Sequence, residues 1–108
     1  MKLPANDVSS VEYEMGYGAD EFGHVLNGPF SGSDSDYDCL TLNPHHWQIS
    51  DRNSDLKVII KVTEMPPRKI AIYSLPVLQV CFEMDKSIPE SQGNFFKRFF
   101  KYFQKGGG

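Results

Sequence analysis

Residues 95–103, FFKRFFKYF, constrain the fold more than any other stretch of this chain. At about 100° per residue, Phe95, Phe96, Phe99, Phe100, Tyr102 and Phe103 fall on one arc, with Lys97, Arg98, Lys101, Gln104 and Lys105 opposite. A helix of this kind has a ring-lined face that needs a cover. Burying one phenylalanine stabilises by about 1.5–3 kcal/mol, and a small domain is stable by only ~5–15 kcal/mol. Phe95, Phe99 and Phe103 are therefore expected to pack inward, Phe96 and Phe100 to flank them, and Lys97, Arg98 and Lys101 to face water. Ser87 and Glu90 make a capping box, Pro89 suits a first turn, and Gly106 can take the left-handed cap. The helix is predicted over residues 88–105. A basic helix lying on a bilayer surface is the competing reading.

The cover has to come from strands. LKVIIKVTEM (56–65) alternates Leu56, Val58, Ile60 and Val62 against Lys57, Lys61 and Thr63. VLQVCFEM (77–84) places Leu78, Val80, Phe82 and Met84 on one face, and VEYEM (11–15) does the same with Val11, Tyr13 and Met15. Shorter candidates are HVLN (24–27), CLTL (39–42) and HWQIS (46–50), the last joined to LKVII as a hairpin by DRNSD. KIAIY (69–73) is predicted to form a short strand after a turn at MPPRK, since two adjacent prolines fit poorly inside a ladder, and Pro76 ends it. Residues 16–38, with five glycines up to Gly32, read as a glycine-rich acidic loop region. The expectation is a single domain over 1–108 of α+β class. Its sheet is an antiparallel β-meander or partly open barrel, covered by one C-terminal amphipathic helix.

Charge is distributed unevenly. Residues 1–55 hold ten acids against Lys2 and Arg52, whereas residues 56–108 hold four acids against nine bases. The simplest consequence is that the halves attract each other on folding. Strand lysines and the terminal helix give some basic surface. The net charge of −3 and the acidic half nevertheless oppose phosphate, so a nucleic-acid partner is not expected. No apolar run has membrane-spanning length, and MKLPANDVSS lacks an export signal. A cytoplasmic protein with Cys39 and Cys81 as reduced thiols is the expectation, with no membrane partner.

SDSDYDCLTLNPHH (33–46) is the one stretch dense in chemically capable side chains. Asp34, Asp36 and Asp38 begin like a calcium-binding loop, but the required glycine and glutamate positions hold Cys39 and His45. A softer metal would draw on Cys39, His45 and His46. Their spacing is not that of a zinc site, and adjacent histidines on a strand point to opposite faces. Flanking aspartates disfavour a Cys39 thiolate. No catalytic motif closes, so no catalytic residue and no cofactor are assigned.

The leading expectation is a small non-catalytic binding or regulatory module, inhibitor- or immunity-like, that meets another protein with a basic surface. Its partner-binding residues would be Tyr17, Glu21, Phe22, Phe30, Asp36, Tyr37 and Asp38, projecting from the glycine-rich loop. The alternative is a metal-assisted enzyme or metal-binding protein using Asp34, Asp36, Asp38, Cys39, His45 and His46.

Overall fold

The computed structural model describes residues 8–28, 30, 36–85 and 89–103. Five antiparallel strands form an open, unclosed sheet, and helices lie on one face of it, giving the α+β class. The elements in chain order are β1 (Val8–Met15), α1 (Ala19–Asn27), β2 (Tyr37–Asn43), β3 (His46–Asp51), β4 (Lys57–Ile70), β5 (Tyr73–Asp85) and α2 (Pro89–Tyr102). The strand order is β1-β5-β4-β3-β2, so β2 to β5 make a meander and β1 closes its far side against β5. The segment carrying α1 therefore joins the sheet's two edge strands.

Alternation assigns the faces. Trp47, Ile60 and Phe82 lie opposite one another across β3, β4 and β5, as do Ile49, Val58 and Met84. All six are buried, and the residues between them, polar apart from Ile59, form the outer face. The helix face of the core is built from rings. Phe99 meets Phe82 edge-on at 4.9 Å and stacks on Phe103 at 4.2 Å. Phe95, Phe99 and Phe103 are buried, Phe96 and Phe100 are half-buried at the flank, and Lys97 and Lys101 are exposed, as the periodicity predicts. Arg98 is partly buried, its guanidinium 5.7 Å from the Tyr37 ring centre. Tyr102 departs from the predicted arc and is exposed. Ser87 and Gly106, the expected caps, lie outside the described residues.

Three expectations are corrected. HVLN is the second half of α1, not a strand, and the supposed loop region holds this nine-residue helix. Ala19, Phe22, Val25 and Leu26 sit at helical spacing, and Asp20 and Glu21 favour the first turn through the helix dipole. Gly23 does not break the helix, because its bare Cα faces the Trp47 ring, where a Cβ would meet Cζ2 at 3.0 Å. MPPRK, second, is not a turn. β4 runs through it by a bulge, with Met65 opposite Val77 and Arg68 opposite Leu75. Pro66 and Pro67 occupy the extra length on a stretch that has no other neighbouring strand, so the missing N–H groups cost no ladder bonds there. Third, KIAIY is not one strand. The chain reverses at Ala71 and Ile72, with Ala71 in the left-handed region at φ 55°. β5 then runs through Pro76 without ending.

Candidate functional site

The alternating pattern of β4 and β5 carries both strands past the rest of the sheet. The β3 register with β4 ends at His46 opposite Lys61, and that of β1 with β5 ends at Met15 opposite Leu78. Beyond these points β4 and β5 pair only with each other, as a two-stranded arm. Directly opposed residues share a face, so Met65 and Val77, Arg68 and Leu75, and Ile70 and Tyr73 lie on one side. That side continues the outer face of the sheet, since Arg68 Nη2 donates to Glu14 Oε1 at 2.6 Å on the neighbouring outer row. Exposure rises towards the tip: Met65 37%, Leu75 45%, Ile70 52%, Tyr73 65% and Ile72 92%. Lys69 and Ser74 share the opposite side. The arm is thus an amphipathic ribbon with its apolar face in water.

A second feature lies at the other end of the sheet. A cleft of about 480 Å³ opens between the start of β2, the β3–β4 turn and the first turns of α2. Asp36, Asp51, Glu90 and Arg98 line it with Tyr37, Asn53, Ser54, Ser91 and Asn94. Much of its polarity is structural. Asp51 accepts from the Asn53 N–H at 2.8 Å and from the Ser54 hydroxyl at 2.9 Å, which shapes the turn. Burial, and then the Asp51 charge, push the Tyr37 phenol above its ordinary range, while Arg98 opposes the shift. Among the described residues no buried side-chain polar atom lacks a partner.

The proposed partner-binding residues divide by burial. Tyr17, Phe22, Phe30 and Tyr37 are not projecting anchors, for their exposures are 5%, 0%, 0% and 6%. Their rings fill the seam between the helices and the sheet: Phe22 packs on Trp47, Tyr17 on Phe103, and Phe30 on both Tyr37 and Phe95. Glu21, Asp36 and Asp38 are exposed. Asp38 accepts from Arg52 Nη2 at 2.7 Å, and that hydrogen bond holds its carboxyl below the usual range.

The residues considered for a metal are not brought together. Asp36 and Asp38 stand at the start of β2, while His45 and His46 stand beyond its end. His45 Nε2 contacts Glu64 at 2.8 Å, and the Asn43 amide donates to His46 Nδ1 at 2.7 Å. Cys39 lies half-buried against the core, and burial pushes its thiol up to about 11. The sequence pointed the same way through the neighbouring aspartates, but the physical cause is desolvation. Asp34 lies outside the described residues. Among those described, no group of three or more His, Cys, Asp or Glu side chains converges as a metal site does. No helix among them is long and apolar enough to cross a membrane.

The signal for the arm was present in the sequence as apolar residues on both sides of the prolines. It was divided between two supposed short strands, which hid its length. No family model matches this chain, and comparisons with curated proteins and with solved structures give no significant match either.

Proposed function

We propose that this chain is a small non-catalytic binding module that acts through protein–protein contacts, with the β4–β5 arm as its recognition element. The observation that carries this reading is the apolar face of the arm, where Met65, Leu75, Ile70 and Tyr73 are 37% to 65% exposed, with Ile72 92% exposed in the turn at its tip. Scattered surface apolar residues are ordinary, but a contiguous patch of this kind characterises interaction sites. A two-stranded ribbon is also barely stable alone in water, which makes it an element that a partner completes. The reading differs from the one drawn from sequence in its surface, because the aromatics expected to anchor a partner are occupied in the core. An inhibitor-like role towards a basic partner keeps the support of exposed Glu21 and Asp36 and of the cleft holding Asp36, Asp51 and Glu90. The metal-assisted alternative draws nothing from the geometry of its residues. A cytoplasmic setting accompanies the proposal, in keeping with the two free thiols.

The test is capture by cross-linking in the native host with the parent chain, Ile72→Glu, and an exposed control, Lys57→Ala. Cross-linked protein partners, including further copies of the chain, should be lost with Ile72→Glu and kept with Lys57→Ala. Retention of every partner by a folded Ile72→Glu protein would contradict the role of the arm.

A further inference from the structure

Beyond the arm, we infer that the free edge of β1 and the flank of α2 form a groove for an extended segment of a partner protein. That segment alternates apolar and basic residues and adds to the sheet as a strand. The first argument is the state of the edges. β1 pairs with β5 in unbroken register from Val8 to Met15, and among the described residues no strand pairs with its other side. Alternate N–H and C=O groups along that side are therefore open to a further strand. Sheet edges are ordinarily blunted by proline, lysine or a bulge, and VSSVEYEM has none of these. The other edges do. β2 carries a bulge between Thr41 and Asn43, and the arm has Pro66 and Pro67 on one strand and Pro76 on the other.

The second argument is what flanks the β1 edge on each face. On the helix side Tyr13 is 39% exposed, its ring 5.1 Å from Phe100 and 6.4 Å from Phe96. Phe96 and Phe100 are themselves half-buried, and Val11 and Met15 stand on the same side of the strand. An added strand lays every second side chain along this shelf of rings, which favours apolar residues there. On the outer face the edge row is Ser10, Glu12 and Glu14, all exposed, with no base in the row. Glu14 is shared with Arg68, but Glu12 is held by the uncharged Gln79 amide, which leaves its charge in place. The intervening side chains of the added strand lie beside this row, where lysine or arginine is favoured. Main-chain bonds with alternate side-chain sites are how a sheet edge recognises an extended peptide. The same acids turn away a second copy, because two β1 strands side by side bring the carboxylates of one beside those of the other. Arm and groove engaged by one partner are two weak contacts that reinforce each other.

Synthetic peptides matched to the eight residues of β1 test this on the full chain, by titration calorimetry and amide hydrogen exchange. A peptide alternating lysine and valine should bind, weaken as salt rises, and protect alternate amides of Val8–Met15. A scrambled peptide of the same composition and an alternating glutamate–valine peptide should each bind at least about tenfold more weakly. N-methylation of every second peptide residue should abolish binding in one phase and spare it in the other, since only one set of N–H groups faces β1. Glu12→Lys should weaken binding about tenfold or more at an unchanged melting temperature. Ile72→Glu should bind the peptide as the parent does, so that failure of the arm and failure of the groove are read separately. No binding by the lysine–valine peptide overturns the inference. So does equal binding by the scrambled peptide, protection that falls on the arm or β2 in place of β1, or loss of the peptide in Ile72→Glu.

Discussion

Gly23 and Gly93 both sit inside helices, and opposite outcomes are expected when each becomes alanine. Around Gly93 nothing lies within 4 Å of an added Cβ. Gly93→Ala should therefore raise stability by about 0.5–1 kcal/mol, the ordinary gain in helix propensity. Gly23→Ala gains the same propensity but drives a methyl to 3.0 Å from Trp47, a ring that is only 3% exposed and packed on Phe22. Overpacking of this kind costs about 1–3 kcal/mol, so a net loss is expected, read by chemical denaturation of the two variants side by side. Cys39 supplies a prediction in pH. Its thiol is held at about 11 against 9.0 for the free group, so the folded state favours the protonated form. That preference is fully present below pH 9 and is lost as pH rises through 11, and Tyr37, also raised, acts in the same sense. Alkylation of Cys39 near pH 8 should thus be roughly 100-fold slower in the native protein than in denaturant, since the thiolate is the reactive form. Equal rates would remove burial as the cause. The sequence indicated that Tyr17, Phe22, Phe30 and Tyr37 matter, but not where they go. An aromatic between glycines reads the same whether it projects or packs, because burial depends on what arrives from the rest of the chain. Gly23 is small on account of Trp47, a residue from another element.

At the scale of elements, α2 was legible because nine residues repeat one helical face without interruption, and no other structure buries that set of rings. Phe99, fully buried among Phe82, Phe95, Phe100 and Phe103, should lose about 3–5 kcal/mol on Phe99→Ala, whereas Lys97→Ala should stay within about 0.5 kcal/mol. Thermal melts of both distinguish a core helix from a surface-bound one. If Phe99→Ala melts with the parent, the helix is not what holds the sheet. α1 was hidden by its glycines: Gly18, Gly23 and Gly28 lower local propensity, and the helix forms because Phe22 and Leu26 are buried against the core. The long arm was hidden by its prolines, which are kept out of central strands but fit a ribbon with no further neighbours. In both elements tertiary context overrides local propensity, while the strands β3, β4 and β5 were legible because alternation itself reports a buried face. The candidate site suffered most, since the acidic stretch drew attention by its chemistry and the arm has only shape and exposure to announce it.

At the scale of the whole molecule, the ion pairs among the described residues do not all join the acidic half of the chain to the basic one. Arg68 with Glu14 and His45 with Glu64 join the halves, while Arg52 with Asp38 and Lys61 with Glu83 lie within one. All four pairs are largely exposed, and pairs of this kind contribute about 0–1 kcal/mol each. What joins the halves is the sheet and its rings: β1 lies along β5, Trp47 on β3 lies opposite Ile60 on β4, and Phe22 on α1 packs against Phe99 on α2. The pairing of β1 with β5, Val8 opposite Asp85, has a consequence in time. A nascent chain emerges from its N-terminus, and β1 then has no neighbour until residues 78–85 follow it out. Non-local pairing of this sort closes late, because loop entropy has to be met before the contacts form. A fragment of residues 1–77 should accordingly show no protected amides in Val8–Met15 by hydrogen exchange, and lasting protection there would mean that β1 has another partner. Val11 and Tyr13 therefore stay in the company of solvent or chaperone until β5 has been made, and only then can the sheet be completed.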